Sequence, residues 1–206
     1  MTKAICTVSV APIRAEPSHQ SEMTSQLLYG ESVEILEING SFSKIKMDFD
    51  HYEGWIDSKQ IAKISDEDLA ERKTEIIKKT FGIYPLENGE TLLSIGSELN
   101  SKTENLLKDS DSKTIAETAL QFLNVPYLWS GRSFFGIDCS GFTQLVYKVH
   151  GISLPRDAYQ QAEIGQVLDF IEESEVGDLA FFENSEGKIS HVGIMLEDQK
   201  IIHAYG

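Results

Sequence analysis

Directly behind Asp138-Cys139, the residues Phe142, Leu145, Val146 and Val149 recur at helical spacing, and Gly151 follows as a stop signal. The stretch is therefore predicted to form an amphipathic helix of about three turns. This puts a thiol at a helix N-terminus, where unpaired N–H groups and partial positive charge favour thiolate over thiol. Asp138 opposes that effect, because a carboxylate beside a thiol raises its pKa. Asp138 is accordingly assigned to capping the helix and to receiving a substrate cation, and Cys139 to nucleophilic attack.

A thiol nucleophile needs a base, and the base needs a group that holds its ring. Ser190–Leu196 and Ile201–Ala204 are short apolar runs around Glu197-Asp198-Gln199-Lys200, which predicts a hairpin. If Leu196 pairs with Lys200 across a three-residue loop, His191 faces Tyr205, and His203 lies diagonally beside His191 on the same face. A loop one residue longer would put the two histidines on opposite faces, so the odd loop is the expectation. His191 is then the base and His203 its orienting partner. His19, His51 and His150 are read as solvated or loop histidines.

Upstream, Thr114-Ile115-Ala116-Glu117 has capping-box spacing, and Ile115, Ala119, Leu120 and Leu123 are expected to form the apolar face of a helix ended by Asn124-Val125-Pro126. Pro155 is expected at the first position of a further helix that Gly165 closes. With strands around Leu179–Glu183, His191–Leu196 and Ile201–Tyr205, residues 113–206 read as an α+β unit, a helical bundle packed on an antiparallel sheet. Residues 1–65 read differently. Ile5–Val10, Gln26–Tyr29, Ser32–Ile38, Phe42–Met47 and Gly54–Asp57 are short strand candidates, with Asn39-Gly40 a tight turn, and together they predict a small β-barrel with Trp55 in its core. Between them, residues 66–112 are read as a linker and interdomain segment. There Ser65-Asp66-Glu67-Asp68 are expected to cap a helix from Leu69 to about Lys79, and short strands and turns follow over Phe81–Asn100.

The formal charge of −15 divides as −3, −5 and −7 over residues 1–65, 66–112 and 113–206. Such a balance excludes nucleic acid as a natural partner and disfavours adhesion to anionic wall polymers or an acidic membrane surface. No apolar run approaches a membrane span and no secretory apolar core follows Lys3, so a cytoplasmic location is expected. Of the two cysteines, Cys6 lies in the apolar run Ala4–Val10 and is expected to be a buried core thiol, unbridged to Cys139.

Five segments in one order also carry a resemblance. Pro126-Tyr127-Leu128-Trp129-Ser130-Gly131, Asp138-Cys139-Ser140-Gly141-Phe142, Leu154-Pro155-Arg156-Asp157, Gly177-Asp178-Leu179-Ala180-Phe181-Phe182 and His191-Val192-Gly193-Ile194 with Ile202-His203-Ala204 are together similar to the NlpC family of papain-like bacterial cell-wall peptidases. Ser130 stands where that family usually has a glycine, and Gln160 where it often has glutamine. Pro12–Pro17, Leu28-Tyr29-Gly30-Glu31 and Tyr52-Glu53-Gly54-Trp55-Ile56 resemble the bacterial SH3-like domain often joined to such catalytic domains. The resemblance implies a papain-like catalytic domain behind an SH3-like barrel, and a cysteine endopeptidase that cuts the γ-D-glutamyl–diamino acid bond of peptidoglycan-derived peptides. It adds Tyr127 to Cys139, His191 and His203 as a residue near the chemistry. It also implies a substrate-binding set of Asp138, Ser140, Trp129, Arg156, Glu22 and Tyr52, with Glu22, Tyr52 and Asp138 meeting a free N-terminal L-Ala amine. Arg156 is read in the first place as an anchor of its own turn. Relatives continue beyond the position of Gly206, so truncation there, with an unpaired sheet edge near the site, is an expectation. The implied role is recycling of wall peptides.

Two rival readings use the same residues. Cys139, His191 and His203, with Asp138 or water, are a conceivable zinc set, although no close-spaced ligand pair is visible and no cofactor is expected. The other rival is a non-catalytic module in which the SH3-like domain binds wall peptide.

Overall fold

The computed structural model describes residues 2–86, 89–100 and 113–206. Two compact units, Met1–Ser110 and Asp111–Gly206, divide the chain.

In the first unit, strands β1 (Thr2–Cys6), β2 (Val10–Arg14), β3 (Met23–Leu28), β4 (Ser32–Asn39), β5 (Phe42–Met47), β6 (Glu53–Asp57) and β7 (Ile61–Ile64) form one antiparallel sheet ordered β3-β2-β6-β5-β4-β1-β7. Alternation drives it, with Ala4, Cys6, Ala11, Ile13, Val33, Ile45 and Ile56 turned inward to one core. Cys6 is 1% exposed in that core, and burial pushes its thiol up to about 12. Both cysteines are free. Gly40 holds a positive φ of 59° in the β4–β5 turn. Trp55 departs from expectation, since Ile56 takes the inward position of β6 and Trp55 points to the other face, opposite Arg14 and Lys44.

The expected helix over 69–79 is much shorter. Ser65 caps it through Asp68 N–H, but α1 spans only Asp66–Glu71. Arg72 then donates to the carbonyls of Gly30 and Glu98, and the β-rich Thr74–Ile76 becomes β8. After the hairpin β9 (Phe81–Leu86) and β10 (Gly89–Ser94), β11 (Glu98–Asn100) pairs with β8. Ile77, Tyr84, Leu93 and Leu99 bury one another in a second small core, with Tyr29 of the turn after β3 packed against it. Residues 66–100 are thus built onto the first unit, where a linker had been expected. The remainder of that segment, 101–112, lies outside the described residues, as do 87 and 88.

In the second unit the Thr114–Glu117 capping box forms as predicted, but α2 (Ile115–Leu120) is short and buries Thr118 and Ala119, leaving Leu120 and Leu123 exposed. Phe122, beyond the helix end, supplies the apolar contact by edge packing on Phe134 and Phe142. The ribbon β12 (Arg132–Ser133) and β13 (Gly136–Ile137) leads into α3 (Cys139–Lys148). Every apolar residue that set the helical period of α3 is buried. Pro155 does not open the next helix. Asp157 caps it through a box with Gln160, and α4 spans Ala158–Glu163. Strands β14 (Leu179–Glu183), β15 (Ile189–Met195) and β16 (Ile201–Ile202) form an antiparallel sheet in that order, on which α3 and α4 pack through β15. This is the α+β layout expected. His150 lies in the turn after α3, as a loop histidine would, and is half-buried there with its Nε2 2.9 Å from Thr118 Oγ1. No helix among the described residues is long and apolar enough to cross a membrane.

Candidate active site

The nucleophile side is built on a cap. Asp138 adopts extended backbone and its Oδ1 accepts the Gly141 N–H at 2.7 Å, so α3 starts at Cys139 itself. Close backbone packing fixes that turn: a Cβ on Gly141 would sit 2.3 Å from the carbonyl oxygen of Gly131. The Pro126–Gly131 loop is tied to the same place, with Leu128 N–H donating to Ile137 O and Asp138 N–H to Gly131 O, both at 3.1 Å. Ser130 holds a left-handed φ of 61° in this loop, the conformation for which a glycine is suited.

Arg156, 2% exposed, donates to both carboxylate oxygens of Asp138 and to the Ser140 hydroxyl. The anchor reading of Arg156 thereby acquires a partner. Asp138 Oδ2 accepts from Arg156, and a carboxylate oxygen can take a second donor. Gln161 was not singled out from the sequence, where Gln160 took the motif position. Gln160 caps α4, whereas Gln161 is buried and bonded to Ser140, Thr143 and Pro155. Helical phase was the available signal: counting from the cap at Asp157, position 161 lies one turn on, on the same face as Ala158.

On the base side, the hairpin has the odd loop. Leu196 N–H donates to Lys200 O at 2.7 Å, and Ile194 faces Ile202. The turn at 197–199 uses left-handed Asp198 and Gln199. This register brings His191 Nε2 to 2.8 Å from His203 Nδ1. Phe182 on β14 faces His191 across the ladder, and the Tyr205 ring stands 5.7 Å from it edge-on. With Nε2 taken by His203, Nδ1 is the nitrogen of His191 left for proton transfer. Which ring donates depends on the tautomer: a His191 whose Nδ1 is bare to take a proton carries its hydrogen on Nε2 and donates it to His203 Nδ1. Next along β15, Val192 packs on Cys139 and Ala158.

The electrostatics refine the expectation of a preformed thiolate. Burial pushes the Cys139 thiol up and the Asp138 charge adds to that, against smaller opposing effects of the Val192 and Ser140 N–H groups and Arg156. Burial, and then repulsion from His203, lowers the His191 imidazole. Both shifts favour a neutral thiol beside a neutral imidazole, so the helix terminus does not outweigh burial. Tyr127 is raised too, by burial first and then by Asp138 and Cys139, which keeps its hydroxyl a proton donor through neutral pH.

Tyr127 and His203 line a pocket together with Phe122–Val125, Ile137, Phe142 and Ile202–Tyr205. Trp129 is 65% exposed and Ser140 is buried. Glu22 and Tyr52 belong to the first unit: Glu22 is exposed, and the Tyr52 hydroxyl donates to Thr24 O at 3.2 Å. The zinc reading fits poorly. His191 and His203 nitrogens stand 2.8 Å apart, a hydrogen-bond spacing, whereas two zinc-bound nitrogens at about 2.1 Å from a tetrahedral ion lie about 3.4 Å apart. No group of three or more acidic, Cys or His side chains among the described residues is placed to hold a metal.

A capped cysteine at the head of a helix, packed against an antiparallel strand that carries a paired histidine, defines a papain-like thiol hydrolase site, and the chain belongs to the NlpC/P60 family of cysteine peptidases. The family's sequence profile matches residues 124–206, and that of the bacterial dipeptidyl-peptidase SH3 domain matches 13–61. Among its relatives is the gamma-D-glutamyl-L-lysine dipeptidyl-peptidase of Bacillus subtilis, 30% identical over 87% of this chain and 71% of the relative. The enzyme of the same name from Bacillus cereus is 26% identical over 91% of this chain and 68% of the relative. A crystal structure of an NlpC/P60 family protein from Bacillus cereus superimposes with a TM-score of 0.83 at 24% identity, covering 98% of this chain and 90% of that one, which shows the shared fold.

Proposed function

We propose that this chain is a γ-D-glutamyl–diamino acid endopeptidase acting on peptidoglycan-derived peptides with a free N-terminal L-Ala, in the recycling of wall fragments in the cytoplasm. The observation that carries the reading is the 2.8 Å contact between His191 Nε2 and His203 Nδ1, which holds an imidazole on the strand beside the Cys139 thiol. The names of the Bacillus relatives support the bond cleaved. The charge of −15 supports a substrate that is a small peptide rather than anionic wall polymer.

In this mechanism His191 Nδ1 takes the Cys139 proton as sulfur attacks the γ-glutamyl carbonyl, and the imidazolium is held by its Nε2–H bond to His203. The oxyanion is met by N–H groups at the start of α3 and by the protonated Tyr127 hydroxyl. His191 returns the proton to the amine of the departing diamino acid, leaving a thioester. It then deprotonates the water that attacks that thioester, and the acid product and thiol are released. Asp138, through Oδ2, and Glu22 and Tyr52, on the strength of their sequence match, are assigned to the L-Ala ammonium. Ser140, Trp129 and Arg156 complete the substrate set, Arg156 chiefly by holding Asp138.

The test compares L-Ala-γ-D-Glu-diaminopimelate and the corresponding lysine peptide with their N-acetylated forms, in wild type, Cys139→Ala and Glu22→Gln. Cleavage of the free-amine peptides by wild type, none by Cys139→Ala and a loss confined to the free-amine peptides in Glu22→Gln are expected. Equal cleavage of free and acetylated peptides by wild type overturns the amine reading, and turnover by Cys139→Ala overturns the thiol mechanism.

A further inference from the structure

Gln161 is a primary amide 1% exposed beneath the head of the nucleophile helix. Its Nε2 donates to Ser140 O at 3.1 Å and to Pro155 O at 2.8 Å, while its Oε1 accepts the Thr143 hydroxyl at 2.7 Å. Both hydrogens of the amide nitrogen and an acceptor site on its oxygen are therefore used. The three partners belong to two segments: Ser140 and Thr143 lie in the first turns of α3, and Pro155 precedes Arg156. Two consequences follow from this bracket. It sets the height of Arg156 relative to Asp138 and Ser140, whose side chains Arg156 grips. It also fixes α4 against α3 at the point where Ala158, one turn before Gln161 on the same face, packs on Cys139 and Val192.

We infer that Gln161 is a positioning residue for the Cys139 thiol: it locks the first turn of α3 to the Pro155-Arg156 turn and so holds the sulfur against the N–H groups of Ser140 and Val192. The chemistry suits an amide and little else. A glutamate keeps the acceptor for Thr143 but loses both donors and adds a negative charge beneath the head of α3. A methionine matches the length but takes the amide donor from Pro155 O and Ser140 O, and leaves the Thr143 hydroxyl only its other acceptor, Ser140 O at 3.0 Å.

This inference rests on the thiol mechanism proposed above, so its test needs no peptide substrate. The rate of iodoacetamide modification of Cys139, resolved from Cys6 by mass of the cysteine-bearing fragments, is measured against pH in wild type, Gln161→Met and Gln161→Glu. Both variants are expected to modify Cys139 at least threefold more slowly at neutral pH, with the rise in rate displaced to higher pH and the larger displacement in Gln161→Glu. Cleavage assays on the same proteins should show kcat reduced about tenfold or more with KM within about threefold. Unchanged modification profiles in both variants, whatever their thermal stability, overturn the inference and make Gln161 a packing residue only. If Gln161→Met does not fold, Gln161→Glu alone decides by the same profile. A wild type that cleaves no γ-glutamyl peptide, yet whose modification profile shifts in the variants, refutes the substrate reading and leaves the positioning role standing.

Discussion

Arg156 grips Asp138 with both terminal nitrogens, Nη2 to Oδ2 at 2.7 Å and Nη1 to Oδ1 at 3.1 Å, and the two side chains are only 2% and 11% exposed. The same carboxylate oxygen that caps α3 through Gly141 N–H is thus one half of a two-pronged ion pair. A planar fork fits that geometry and an ammonium does not.

Arg156→Met should therefore strand a buried carboxylate at the helix cap, a loss of about 3–5 kcal/mol for breaking such a pair from one side. Arg156→Lys should recover only part of it. Amide hydrogen exchange across α3 reads this directly: protection falling a hundredfold or more in Arg156→Met is expected, and wild-type protection would contradict a structural role for the pair.

Raised thiol and lowered imidazole give two different pH profiles. Hydrolysis needs neutral His191, which persists to lower pH than an ordinary histidine, so the acid limb of kcat/KM should fall below about pH 6.5. Modification of Cys139 by iodoacetamide follows the thiolate instead, and should still be rising beyond about pH 8.5. A modification rate already level in mildly acidic solution would mean a preformed thiolate–imidazolium pair.

In the proposed mechanism His203 accepts from His191 and holds its ring in place. His203→Asn keeps an acceptor and should retain kcat within about tenfold, while His203→Phe should lose about a hundredfold. Steady-state kinetics on the γ-glutamyl peptide separates them, and equal losses in the two variants would remove the acceptor role.

Gly193 lets β16 close on β15. A Cβ there would lie 2.5 Å from Ile201 Cγ2, 2.9 Å from Ile202 O and 3.1 Å from His203 Cβ. Gly193→Ala should push β16 outward at a cost of about 1–3 kcal/mol and carry His203 away from His191. The readout is a fall in kcat comparable to that of His203→Phe; full activity would show that the strand yields without moving the histidine.

Where the sequence was legible, a mistake would have reversed something. A hairpin loop one residue longer would have turned His203 to the opposite face from His191, so the register could be read from the requirement that they meet. The period behind Cys139 was equally binding, since Phe142, Leu145, Val146 and Val149 all had to be buried. Weaker signals yielded to tertiary contacts. Residues 72–79 carry charges that suit a helix, but the Arg72 bonds to Gly30 and Glu98 and the pairing of β8 with β11 claim them for the sheet. Leu120 and Leu123 were read onto the apolar face with Ala119, yet Leu120 ends α2 exposed and Leu123 lies beyond it. Proline has the φ of a helix start, but Asp157 and Gln160 form the box that starts α4 at Ala158, three residues after Pro155. The thiol was misjudged by degree: its two nearest influences, the helix end and Asp138, were legible, and its burial, which outweighs both, was not.

The backbone of Ser130 has a separate consequence. A residue with a Cβ held at a φ of 61° gives up roughly 1–2 kcal/mol that glycine would not. Because that residue sits in the loop whose Gly131 carbonyl touches Gly141 at the head of α3, the chain carries an unspent reserve of thermal tolerance next to its reactive sulfur. Ser130→Gly should release it as a rise of a few degrees in the melting temperature of the second unit, leaving kcat as it was. An unchanged or lower Tm would mean that the side chain of this buried serine holds more than the backbone costs. For anyone seeking a sturdier form of this peptidase, the gain would come from a single removed side chain a few residues upstream of the nucleophile rather than from any change to the groups that act on substrate.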